Sequence, residues 1–209
     1  NKYILEMKAC FMGLGYIGLP TAIIAAKHGV QITGVDINPR VVELTNQGKL
    51  HIIEPGMEEM LGEVITSGAL RASVVPEKSD AYFMVVPTPF KGNHEPDISY
   101  VETATRTVIP LLKEGDLYVI ESTSPVGTTD KMADLIFSLR PESKGKIYIA
   151  YCPERVLPGN VIYELIHNDR VIGGIDSAST DKAAEFYGRF VKGMLHLSLI
   201  HISEPTRRR

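Results

Sequence analysis

Short apolar runs alternate with longer segments of helical period along nearly the whole chain. The runs KACFMG (8–13), QITGVD (31–36), LRASVV (70–75), AYFMVV (81–86), DLYVIE (116–121), KIYIAY (146–151) and RVIGG (170–174) predict strands. Segments 16–28, 39–47, 56–67, 98–112, 125–139 and 177–191 predict helices. Several of the strand runs are apolar without alternation, as needed when both faces of a parallel sheet are covered. The pattern predicts an α/β fold, a doubly wound and mainly parallel sheet with helices on both faces. Asn38-Pro39 supplies a capping residue before a proline in the first helical turn, and Gly29, Gly48 and Gly68 each follow a helical segment they can terminate. After residue 192 the stretch KGMLHLSLIHISEPTRRR has mixed polarity and no clear period. The reading is one domain over 1–192 and a tail, disordered or non-native, over 193–209.

Composition narrows the function classes. The chain has 209 residues, 44% hydrophobic and 22% charged, enough for a substantial core. A formal net charge of -3, with the only dense basic cluster at Arg207–Arg209, provides no field for a nucleic-acid backbone. No apolar run approaches the roughly 20 residues that span a bilayer, so no membrane partner is expected. The first residues lack a cleavage-site pattern. The two cysteines, Cys10 and Cys152, lie inside or at the end of predicted strands, which fits a reducing compartment and a cytoplasmic location. No metal site is expected.

Candidate chemistry collects at the carboxyl ends of the strands. MGLGYIGLP places Gly13, Gly15 and Gly18 in G-x-G-x-x-G spacing between the first strand and the first helix. The first glycine permits a tight turn, the second a close approach of backbone to a pyrophosphate, the third close packing of helix on strand. Asp36 ends the second strand eighteen residues beyond Gly18, where a carboxylate can accept both ribose hydroxyls and repel a 2'-phosphate. Together they predict a Rossmann-type site for NAD rather than NADP. Arg40 is the alternative, a 2'-phosphate ligand or a solvated helix residue. VVPTPF and ESTSPVGT present Thr88 and Thr123 on proline-stiffened turns, as cofactor ligands or as helix caps. In AYCPERVLPG, Glu154 can orient a water or relay a proton, and Arg155 can hold an anionic group; the alternative is an ion pair between the two that shapes the loop. Cys152 is read as packing rather than as a nucleophile.

GLGYIGLP, GVDIN, EPG, VPTP, ESTSPVGT and CPERVLPG, in this order, closely resemble the N-terminal part of the UDP-glucose/GDP-mannose dehydrogenase family, over about residues 7–192. Within it, PTPFKGNHEPDISYVE and AYCPERVLPG are most similar to the branch acting on UDP-N-acetyl-D-mannosamine. The resemblance implies a UDP-sugar substrate oxidised twice, from alcohol to carboxylate, with NAD as hydride acceptor. It implies NAD contacts at Tyr16, Ile17, Asp36, Thr88 and Thr123, water or proton handling by Thr123 and Glu154, and substrate contact through Arg155 and Val156. It also implies a homodimer for the full-length enzyme, built on a central helix. The family's Gly-Gly-x-Cys motif, its catalytic lysine and asparagine, that helix and the C-terminal UDP-sugar domain are absent from the sequence, so the chain is read as incomplete for catalysis. The rival readings are UDP-glucose 6-dehydrogenase, another Rossmann-type hydroxy-acid dehydrogenase with one hydride transfer, and a non-catalytic NAD-binding module.

Overall fold

The computed structural model describes residues 6–200, and among these eight short strands make one sheet. In chain order they are β1 (Lys8–Met12), β2 (Gln31–Val35), β3 (Leu70–Ser73), β4 (Ala81–Met84), β5 (Leu117–Ile120), β6 (Tyr148–Tyr151), β7 (Arg170–Gly174) and β8 (Leu195–Leu199). Their spatial order is β3-β2-β1-β4-β5-β6-β7-β8. Every neighbouring pair is parallel except β6 and β7. The helices are α1 (Gly18–Lys27), α2 (Pro39–Asn46), α3 (Met57–Thr66), α4 (Ser99–Val108), α5 (Thr128–Leu139), α6 (Val161–His167) and α7 (Ser177–Tyr187). This is the doubly wound, mainly parallel Rossmann-type sheet that the alternating pattern predicts.

Both faces are covered, which explains the unbroken apolar runs. Residues of β4 and β5 are buried throughout. Alternate side chains of β1 divide between two cores. Ala9 and Phe11 join residues of α1, α3, α6 and α7 on one face; Cys10 and Met12 join residues of α4 and α5 on the other. On the first face Phe11 stacks on Phe83 at 4.6 Å between centroids, and Phe83 meets Phe186 of α7 at 4.4 Å. Full burial of such a side chain contributes about 1.5–3 kcal/mol, so this cluster anchors α7 to the middle of the sheet.

The elements are shorter than the sequence segments. α1 begins at Gly18 because residues 14–17 form the turn above β1. The segment ending at residue 112 leaves α4 at Val108 for a 3-10 turn, Ile109–Leu111, at Pro110, whose ring nitrogen has no proton to donate to an α-helical bond. Asn38 caps α2 as expected, accepting a bond from the Arg40 amide at 3.0 Å. Gly29, Gly48 and Gly68 all take the positive φ that ends a helix.

Two elements were not expected. α6, seven residues long, is too short to show a period. β8 corrects the reading of everything after 192 as tail: Leu195–Leu199 pairs in parallel with β7 over five positions. Its alternation, LHLSL, is a strand signal, blurred because apolar Met194 and Ile200 directly flank it and break the period of two. The remainder of the tail from residue 201 lies outside the described residues. Among the described residues no helix is long and apolar enough to cross a membrane.

Candidate functional site

The strand order reverses between β1 and β4, and an open sheet binds ligands outside the carboxyl ends at such a point. The turn after β1 is held there by the Gly13 amide, which donates to Val35 of β2 at 2.8 Å. Gly13 has a φ of 109°, and a Cβ on it would lie 2.4 Å from the Val85 carbonyl oxygen. A Cβ on Gly18 would lie 2.0 Å from the Gly13 carbonyl oxygen. These two glycines are required to close the turn on its neighbours. Gly15 differs, because a Cβ there would meet nothing within 4 Å and its backbone faces open space. That is the cradle a pyrophosphate needs, with amide donors at the start of α1 beside it.

Asp36 is pinned beside the turn. Its carboxylate accepts from the Leu14 amide at 3.2 Å and from the Asn38 amide at 2.9 Å. Arg40, the alternative ligand, is spent in an exposed pair with Glu43 at 2.8 Å. A cleft of about 350 Å³ runs over this edge, lined by Gly13, Gly15, Tyr16, Ile17, Asp36, residues 85–88, Ser122 and Thr123. Gly18 lies beneath it, buried in the first turn of α1. Thr88 donates its hydroxyl to the Thr123 carbonyl at 2.7 Å, and Ser122 donates to Val86 at 2.6 Å. The two threonine turns are thus tied to each other across the strand ends, and neither threonine is the N-cap residue of an α-helix.

Glu154, Arg155 and Val156 follow β6 along the same edge but are not among the residues lining this cleft. The loop-shaping pair between Glu154 and Arg155 does not form: Arg155 is exposed, and only its amide bonds Glu154, at 2.9 Å. The partner of Glu154 is Arg170, at the start of β7 and fully buried, 3.3 Å away. Arg170 also lies 3.9 Å from Glu121, at the end of β5, and 4.8 Å over the ring of Tyr187. Tyr187 donates to Glu121 at 2.5 Å. Burial pushes the Glu154 carboxyl above its ordinary range against the pull of Arg170. Burial likewise pushes the Cys152 thiol up to about 12, which keeps it protonated and agrees with a packing role. Val156 is half-buried against the first core.

Sequence reasoning assigned no role to Glu54, Glu121, Arg170 or Tyr187. A glutamate and an arginine abutting otherwise apolar strand runs, YVIE and RVIGG, were the available signals for two of them. Glu54 offered only its place in EPG.

Comparison with known proteins agrees with this geometry. The model of the UDP-glucose/GDP-mannose dehydrogenase family, NAD binding domain, matches residues 7–191. The chain belongs to this family. Two relatives are the UDP-N-acetyl-D-mannosamine dehydrogenases of Campylobacter jejuni, 46% identical over 96% of this chain and 51% of that protein, and of Escherichia coli K12, 49% identical over 87% and 45%. A solved structure of the UDP-N-acetyl-mannosamine dehydrogenase of Staphylococcus aureus is 40% identical with a TM-score of 0.88, over 92% of this chain and 47% of that one. The chain spans about half the length of the curated relatives it matches. The matched region is the family's NAD binding domain, and the glycine cradle and Asp36 fit the adenosine diphosphate half of that cofactor.

Proposed function

We propose that this chain is the cofactor-binding half of an NAD-dependent dehydrogenase that oxidises UDP-N-acetyl-D-mannosamine to UDP-N-acetyl-D-mannosaminuronate. The observation that carries the cofactor half is the open backbone at Gly15 beside the pinned Asp36 carboxylate. The sugar is drawn from the relatives named above. Bound NAD supplies the hydride acceptor for both oxidations. Gly13, Gly15 and Gly18 shape the turn that receives the pyrophosphate, Tyr16 and Ile17 flank it, and Asp36 accepts from the ribose hydroxyls. Thr88 and Thr123, joined at their turns, hold the opposite wall. Thr123 and Glu154 handle water and protons for the reacting alcohol, Glu154 with a carboxyl already inclined to keep its proton. Arg155, exposed on its loop, meets an anionic part of the UDP-sugar, with Val156 packed behind it. The complete enzyme works as a homodimer in the cytoplasm, where Cys10 and Cys152 stay reduced.

The test is NADH formed per sugar by the full-length protein that contains this chain. Two NADH per UDP-N-acetyl-D-mannosamine, with little turnover of UDP-glucose, is the expected result. One NADH per substrate contradicts the double oxidation, and a preference for UDP-glucose contradicts the sugar.

A further inference from the structure

Glu54 lies between α2 and α3, far in sequence from both loops of the site, yet its side chain touches each of them. The residue is 6% exposed. Its Oε2 accepts from the Tyr16 hydroxyl at 2.9 Å and from the Gly159 amide at 2.9 Å; its Oε1 accepts from the Val161 amide at 2.9 Å. Tyr16 belongs to the glycine turn and lines the cleft. Gly159 closes the loop that carries Glu154, Arg155 and Val156, and Val161 opens α6. One carboxylate therefore collects donors from both loops. Burial works against its charge, but these three bonds outweigh it and hold the Glu54 carboxyl below its ordinary range. Bonds to an ionised acceptor are short and strong, so a shift of one donor is felt by the other two.

We infer that Glu54 is a positioning residue that couples the cofactor turn at Tyr16 to the substrate loop at Gly159 and Val161. The inference rests on the reading of Tyr16 as an NAD contact and of Arg155 and Val156 as substrate contacts. NAD that settles the glycine turn fixes the Tyr16 hydroxyl on Oε2, which steadies the carboxylate under Gly159 and Val161. The substrate loop is then more ordered before the sugar arrives. By linkage, the sugar in turn tightens the hold on NAD by the same factor.

The test is amide hydrogen exchange at Gly159 and Val161, followed by NMR in the protein with and without saturating NAD, with the amides of α5 on the other face as an internal control. Exchange at both positions is expected to slow by about fivefold or more on binding, beyond any change in α5. Tyr16→Phe keeps the ring and removes the donor; saturated with NAD, it is expected to lose the extra slowing. Glu54→Gln, which sets an amide group against backbone donors, is expected to lose it as well. Unchanged exchange at Gly159 and Val161 in the NAD-bound wild type, or full slowing retained in Tyr16→Phe, overturns the coupling while leaving the cofactor reading intact. A wild type that binds no NAD overturns both.

Discussion

An added methyl group distinguishes the glycines of the 13–18 turn. At Gly18 it would sit 2.0 Å from a backbone oxygen, whereas at Gly15 it would meet nothing within 4 Å. Gly18→Ala should therefore lower stability by about 1–3 kcal/mol, because helix and turn must move apart. Gly15→Ala should leave stability within about 0.5 kcal/mol and weaken NAD binding by about tenfold, since the methyl occupies only the approach of the pyrophosphate. Urea unfolding and NAD titration of both variants check this, and equal stability losses would contradict it. The three glycines and Asp36 were legible because their spacing falls in a strand-turn-helix context on one continuous stretch, where the turn and its close backbone contacts impose fixed intervals. Glu54 was not legible, since its donors lie 38, 105 and 107 residues away and no local period records them. The partner of Glu154 was misplaced for a related reason: sequence offered the adjacent Arg155, while the fold supplies Arg170 from the next strand.

At the scale of elements, Glu121, Glu154, Arg170 and Tyr187 join the end of β5, the loop after β6, the start of β7 and α7. Two carboxyls here face one guanidinium, with the thiol of Cys152 and, toward the loop, Glu164 as the other titratable neighbours. Burial pushes Glu121 from its ordinary value of 4.5 up to about 7, against the attraction of Arg170 and the Tyr187 hydroxyl. A carboxyl raised in the fold holds its proton more tightly there than in the unfolded chain. Its contribution to stability is complete below about 4.5 and is lost as pH rises through about 7. The thermal midpoint should fall between pH 5 and pH 8, and Glu121→Gln should flatten that fall. An unaltered slope in the variant would contradict the assignment. Strands buried on both faces announced themselves by their apolar runs. α6 did not, being only seven residues long, and β8, largely exposed at the edge, kept an alternation that its apolar neighbours Met194 and Ile200 interrupted at both ends.

Across the whole molecule, one sheet edge gathers the glycine turn, Asp36, the paired threonine turns and the loop after β6. The order of strands brings them together although they span residues 13 to 159. The residues lining the cleft over β1, β2, β4 and β5 run from Gly13 to Thr123, inside the span 7–191 on which family membership rests. The cofactor half of the account can therefore be tested on the chain itself. Calorimetric titration with NAD and with NADP is the most direct measurement. One NAD bound per chain, with NADP weaker by about tenfold or more because Asp36 opposes the 2'-phosphate, is the predicted result. No NAD binding, or NADP bound as tightly, would contradict the claim that the Gly13–Gly18 turn and Asp36 form an NAD site.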